Sequence, residues 1–241
     1  MSGPAPTTVL VFDLDDTLYL ERDFARSGFG ACGRWLEAEH GLSGFADRCA
    51  ALLEAGRRGT IFDEALAALG RPADKALVAK LVEVYRGHTP EIALAEDARR
   101  YFAQAHPGRA HAIISDGPHL TQAGKVRALG LDRLVGLVLL TDAWGRDYWK
   151  PHPRAFEAVE AWSGLTGPRL AYVADNPTKD FVTPKARGWH TIQILRGGRV
   201  HSVEAPDESH QAESLVTSLD SIDRILTGLG TEWANEVGDL D

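Results

Sequence analysis

The chain has 241 residues and is 44% hydrophobic, enough for one large α/β domain or a core with a smaller insert, and too apolar for a disordered chain. Its formal net charge is −8, with 26 Lys and Arg against 34 Asp and Glu. Arg57-Arg58 and Arg99-Arg100 are isolated pairs, which argues against a nucleic-acid surface, and no apolar run approaches the ~20 residues needed to cross a bilayer.

Met1 to Thr8 lacks the basic and apolar regions of a signal peptide, so a cytoplasmic location is the default expectation. The first element is the run Val9-Leu-Val-Phe12, whose β-branched and aromatic content predicts a buried strand ending at Asp13. Almost a hundred residues pass before the next such run. Apolar positions recur with helical periodicity over Phe24–Leu36, Ala46–Leu53, Ile61–Leu69 and Ala76–Val84. Gly41, Gly56, Gly70 and Gly87 punctuate them as C-terminal caps or turns. A structureless loop of that length is implausible. Residues 19–89 are therefore read as a helical cap inserted into a core formed by residues 1–18 and 90–230.

Four more strand-like runs follow, at Ala110–Ile114, Leu137–Leu140, Leu170–Ala174 and Thr191–Leu195, with helical patterns at Pro118–Leu129, Pro153–Trp162 and Thr178–Arg187. This alternation predicts an α/β fold: a Rossmann-like parallel sheet covered on both faces. After Gly197 the chain is polar until Ser218. Leu219–Leu229 reads as a last helix and residues 231–241 as a frayed tail. Cys32 and Cys49 form no CxxC pair and are read as buried apolar residues.

The chemistry-bearing residues stand where these strands end. Asp13-Leu14-Asp15-Asp16-Thr17 follows the first strand, and ligands of open parallel sheets bind beyond the carboxyl ends of the strands. In extended backbone Asp13 and Asp15 point the same way. Two carboxylates in one crevice push their pKa values apart, so that one serves as nucleophile and the other as acid. An Asp-rich turn is the plainer alternative. The second strand ends in Ser115-Asp116-Gly117 before a helix. A hydroxyl, free amides and a helix N-terminus together form a phosphate site, although an ordinary turn or cap would look the same. The fourth ends in Asp175-Asn176-Pro177-Thr178-Lys179-Asp180. Two carboxylates there can hold a hard cation, or simply open a capped helix. Lys150 precedes Pro151 and the next helix; taken singly, it is a solvent-facing lysine.

Together and in this order, these four signals resemble the motifs of the haloacid dehalogenase-like hydrolase superfamily, over the chain to about residue 195. The helical insert looks like the cap that some members carry at that position. Tyr19 to Phe29 and Tyr172 to Phe181 look like the branch of nucleotidases and sugar phosphatases. Ala174 departs from the Gly commoner before the motif Asp. The resemblance implies that Asp13 attacks phosphorus, that Asp15 protonates the leaving alcohol and later deprotonates water, and that Ser115 and the Asp116 amide region hold phosphoryl oxygens. It implies that Lys150 bridges nucleophile and phosphate. Asp13, the Asp15 backbone carbonyl and Asp175 would ligate Mg2+, with Asp180 and Asn176 behind them.

Charge counting supports the cation separately. A phosphate ester brings about two negative charges to several carboxyls, and one like-charge pair at ~4 Å costs ~4 kcal/mol at an effective dielectric of ~20. Lys150 cannot offset several such pairs. The expected activity is hydrolysis of a small phosphorylated metabolite, a sugar phosphate or nucleotide, by a monomer or homodimer. A phosphomutase typically carries Gly where this chain has Asp16. A dehalogenase needs neither an acid at Asp15 nor a metal. A phospho-acceptor signalling domain would have about half this length and would place its acceptor after a middle strand. His111, His119, His152 and His190 show no ligand spacing. Trp144, Tyr148 and Trp149 are read mainly as packing, Tyr19, Glu21 and Arg22 as a hinge, and Arg57 and Arg58 as a solvated helix end.

Overall fold

The computed structural model describes residues 5–200, 204–230 and 233. Six strands form one parallel sheet: β1 (Thr8–Phe12), β2 (Arg109–Ser115), β3 (Leu137–Leu140), β4 (Leu170–Ala174), β5 (His190–Ile194) and β6 (Ser214–Val216). Their order is β3-β2-β1-β4-β5-β6. The central strands β1 and β4 are buried at every residue, as strands covered on both faces must be. Phe12 pairs with Ile113 on one side and Val173 on the other. The strand order therefore reverses beside β1, which opens a crevice at its carboxyl end.

Nine α-helices accompany the sheet among the described residues. The insert supplies α1 (Glu21–His40), α2 (Phe45–Glu54), α3 (Ile61–Ala68) and α4 (Lys75–Gly87). They enclose an apolar cluster of their own, with Phe29, Leu36, Phe45, Leu66 and Leu81 at its centre. Cys32 and Cys49 belong to it, and burial pushes both thiols up to about 12. Gly41, Gly56 and Gly70 end helices with positive φ, whereas Gly87 is the last residue of α4. The remaining helices are α5 (Glu96–Ala103), α6 (His119–Ala128), α7 (Arg154–Ser163), α8 (Val182–Ala186) and α9 (Ile222–Leu229). Two further apolar clusters cover the two faces of the sheet. No described helix is long and apolar enough to cross a membrane.

Several elements differ from the sequence reading. β6 has three residues and a polar neighbourhood, too short for an alternation signal. Half of α5 is charged; its apolar face is Ala98, Tyr101 and Phe102, and both aromatic rings pack against Phe12. The expected helix Thr178–Arg187 shrinks to five residues, because Asn176 to Phe181 form the site loop. Leu219–Ser221 is a 3₁₀ turn that leads into α9. The expected frayed tail lies outside the described residues except for Trp233, which is buried and donates its Nε1–H to Pro168 O at 2.9 Å.

One buried ion pair fastens the loop after β1 to the rest of the core. Arg196 Nη1 meets Asp97 Oδ1 at 2.8 Å, and its Nε donates to Thr17 O at 2.6 Å. Asp97 also accepts from Leu219 N at 2.6 Å. Burial opposes its charge, but Arg196 and these amides hold its carboxyl below the usual range. A carboxylate depressed in this way contributes stability above its unfolded pKa and loses it as pH falls through the folded value. Asp97→Asn leaves Arg196 buried without its counter-ion. Chemical denaturation at neutral pH should therefore show a loss of ~3 kcal/mol, and the gap to wild type should narrow as pH falls below the usual carboxylate range.

Candidate active site

The carboxyl ends of β1, β2 and β4 bring the expected residues together. Lys150 is 5% exposed, and its Nζ lies 2.5 Å from Asp13 Oδ1, 2.7 Å from Asp180 Oδ1 and 2.9 Å from Tyr172 OH. Burial disfavours its charge, yet the two carboxylates hold its pKa well above the ordinary lysine value. Burial also pushes Asp13 up to about 6, against the pull of Lys150. Asp13 thus stays an anion near neutral pH. Asp13 N donates to Val173 O at 2.9 Å, which fixes its backbone in the sheet.

Asp15 faces a different set of partners. Lys125 Nζ lies 2.6 Å from its Oδ1, Gln122 Nε2 donates to its Oδ2 at 2.9 Å, and Tyr19 OH donates to Oδ1. Burial raises Asp15, but Lys125, Tyr19 and Gln122 outweigh it and hold the carboxyl below its usual range. In this arrangement Asp15 is a carboxylate. Gln122 and Lys125 sit three residues apart on one face of α6, and that spacing is their only trace in the sequence. Lys125 also lies 4.4 Å from the centre of the Phe24 ring on α1, so it joins the catalytic loop to the four-helix unit.

Ser115 Oγ accepts from Gln122 Nε2 at 2.6 Å and keeps its own O–H to donate. Gly117, at φ 124°, makes the turn that follows; a Cβ there would press on Gln122 at 3.1 Å. The Asp116 carboxylate is occupied: Thr141 Oγ1 and Lys150 N donate to Oδ1 at 2.7 and 3.1 Å, and Lys179 Nζ stands 3.5 Å from Oδ2. Asp116 therefore offers an anion only its backbone amide. Pro118 is the cap of α6 and not its first turn, and His119 N is taken by Asp142 Oδ2 at 3.0 Å. Asn176 N donates to Asp180 Oδ2 at 3.1 Å, and Asn176 Oδ1 caps Thr178. Asp16 adopts φ 51°, a conformation Asp tolerates, and its carboxylate accepts from Glu21 N and Val200 N.

A cavity of about 170 Å³ opens here, lined by Asp13, Asp15, Asp16, Glu21, Asp116 and Asp175, with Asn176, Trp149 and Lys179. Trp149 thus reaches the site, whereas Trp144 and Tyr148 pack on Arg154. Glu21, read from sequence only as part of a hinge, is pushed up to about 7 by burial and by Asp15. Tyr172 and Lys179 are further site residues whose roles the sequence did not mark. The four histidines near strand ends lie elsewhere. His111 is packed under Tyr101, and burial pushes it down to about 3.

Asp13, Asp175 and Asp180 present oxygens within 4.8 Å of one another. Burial and the charges of Asp13 and Asp180 push Asp175 up to about 9. Three buried carboxylates, with Lys150 between two of them and Lys179 alongside, are still short of positive charge, so these residues fit a hard divalent cation.

A profile of the haloacid dehalogenase-like hydrolases matches residues 7–186. The chain belongs to that family. Its members are hydrolases, and the fold agrees. The chain is also similar to the phosphoserine phosphatase of Thermus thermophilus, at 29% identity over 83% of this chain and 93% of the relative. Among solved structures it is similar to the magnesium-bound HAD-hydrolase YfnB of Bacillus subtilis (19% identity, 91% of this chain and 98% of that one, TM-score 0.59). It is similar, too, to the L-2-haloacid dehalogenase of Xanthobacter autotrophicus (19%, 92% and 99%, TM-score 0.61) and the 2-haloacid dehalogenase of Pseudomonas syringae (20%, 92% and 99%, TM-score 0.62). At these identities the structural likeness concerns the fold.

The crowded carboxylates give a test that does not depend on turnover. Asp175→Asn removes one member of a repelling group, so in chelator its melting temperature should exceed that of wild type. Magnesium should raise the melting temperature of wild type by mass action and leave that of the variant nearly unchanged. Differential scanning calorimetry with and without magnesium reads both effects.

Proposed function

We propose that this hydrolase is a magnesium-dependent phosphomonoesterase that forms an aspartyl-phosphate on Asp13. The observation that carries the reading is that Asp15, two residues beyond the nucleophile, lines the same small cavity. An alkoxide must be protonated to leave, whereas a halide leaves as it is. Dehalogenation therefore gives no use to Asp15, nor to the carboxylates around Asp175. Similarity to a phosphatase supports the same choice.

The chain's own residues carry the steps. Asp13 attacks phosphorus, the ester P–O bond breaks, and the leaving oxygen takes a proton from Asp15. The dianionic substrate enters beside Asp15 and raises its pKa by like-charge repulsion, so Asp15 takes up that proton as substrate binds. Water then attacks phosphorus, Asp15 accepts its proton, the bond to Asp13 breaks, and inorganic phosphate departs. Lys150 keeps Asp13 ionised and aimed. Ser115 donates its hydroxyl, and Asp116 its amide, to phosphoryl oxygens. Asp13, Asp175 and the Asp15 backbone carbonyl would hold Mg2+, with Asp180 and Asn176 buttressing them. Bound there, the cation would offset the charge on the transferring group. The four helices α1–α4 serve as the cap over this site.

Asp13→Asn keeps the shape and removes the attacking charge, so steady-state phosphate release should fall by ~10⁴-fold or more while the fold persists. Retention of a tenth of the activity would reject covalent catalysis. Asp15→Asn should depend on the leaving group. In single-turnover kinetics it should lose ~10²–10⁴-fold with an alkyl phosphate and far less with nitrophenyl phosphate, whose phenolate leaves unprotonated. Equal losses would remove Asp15 from its role as acid.

A further inference from the structure

A second cavity, of about 330 Å³, lies inside the cap next to the catalytic one. Phe29 on α1, Ile61 and Phe62 on α3, and Val78, Val82 and Tyr85 on α4 form its apolar side together with Ala25 and Leu53. Five of these eight are only half-buried although they pack in a helical bundle; Phe29, Ala25 and Leu53 are buried. Glu21 lines both cavities. Val200 lines the second, and its N–H is bound by Asp16, which lines the first. Arg58 closes that side: its Nη2 donates to Val200 O at 3.3 Å, and its Nη1 to Leu53 O at 3.1 Å. Asp63 and Arg86 lie at the exposed rim.

We infer that this cavity receives the leaving group of the phosphoester, and that the substrate is the phosphate of an apolar alcohol, alkyl or aryl. The inference rests on the phosphatase reading above and names the substrate class of that site. The phosphate occupies the small acidic cavity among Asp13, Asp15 and Asp175. The ester oxygen then lies near Asp15 and Glu21, and the carbon chain continues past Glu21 into the apolar space. An apolar cavity of ~150 Å³ already admits benzene, so this one has room for a phenyl ring or a chain of several carbons. A sugar or nucleoside, the group expected from the sequence, carries hydroxyls that would lose their water against Phe62, Val78 and Val82 and find no partner along that wall, since the charged lining residues stand apart from it: Glu21 at the junction with the catalytic cavity, Arg58 at one side, and Asp63 and Arg86 at the rim. The serine of phosphoserine would leave most of the space empty.

A homologous series tests this cleanly. The n-alkyl phosphates from ethyl to hexyl have leaving alcohols of nearly equal acidity, so their intrinsic reactivity is constant while the buried apolar area grows. Phosphate release with magnesium should show kcat/KM rising about fourfold per methylene, the rate equivalent of ~0.8 kcal/mol per buried CH₂. Glucose 6-phosphate and O-phosphoserine should fall below hexyl phosphate. The matching alkylphosphonates, which cannot be hydrolysed, should bind with the same progression by calorimetry. Val82→Ala, the milder wall change, and Phe62→Ala should both flatten the two slopes. A flat phosphonate series, or a preference for glucose 6-phosphate or O-phosphoserine, overturns the assignment of the cavity and leaves the phosphatase reading standing. A rising phosphonate series with no phosphate released from any ester upholds the cavity and overturns the phosphatase reading.

Discussion

The site is organised around one buried ammonium. Lys150 Nζ sits among Asp13, Asp180 and Tyr172 with almost no access to water. An isolated lysine in that place would lose its proton, and isolated carboxylates would gain theirs. Each group is charged because the other is. Removing one partner of such a pair typically costs ~3–5 kcal/mol, since the remaining charge stays buried. The arrangement holds only if β1, the turn before α7 and the loop after β4 are fixed against one another. The sheet order places β1 beside β4, and the hydrogen bond from Lys150 N to Asp116 Oδ1 ties the turn to the end of β2.

Charge is divided unevenly across the site. Asp13 and Asp180 share Lys150, while Asp15 has Lys125 and Tyr19 and shares Gln122 only with the Ser115 hydroxyl. Asp175 has no comparable counter-ion among the described residues, and it is the carboxyl pushed furthest up. On the proposed mechanism one group is thus kept anionic for attack, one exchanges a proton, and one takes a cation. The two carboxylates separated by Leu14 belong to one cavity yet differ because α6 reaches only one of them.

Much of this was legible in the sequence, and for physical reasons. The apolar runs that became β1 and β4 are buried on both faces and therefore carry an unbroken signal, and those of β2 and the half-buried edge strand β3 are short continuous apolar runs as well. Asp13, Ser115, Lys150 and Asp175 each stand at the end of a strand or before a helix, the positions where ligands of an open parallel sheet bind. The four insert helices showed through their apolar periodicity. What stayed hidden depends on contacts across the chain. Gln122 and Lys125 look like ordinary helix residues until α6 packs beside Asp15. Glu21 looks like a hinge until the start of α1 is seen to line the same cavity as Asp15. α5 and β6 were too charged or too short to announce themselves. The apolar cavity of the cap is invisible in sequence, because Phe62 and Val82 have the same periodicity whether they fill a core or line a space.

The covalent step on Asp13 is the centre of this account, and trapping tests it most directly. The enzyme is mixed with excess alkyl phosphate and magnesium, quenched in acid within a turnover, and reduced with borohydride. Peptide mapping by mass spectrometry should then find homoserine at position 13, the product of reducing an acyl phosphate at Asp13, and aspartate at positions 15, 16 and 175. Phosphate release accompanied by unmodified Asp13, or by homoserine at any other position, would contradict it.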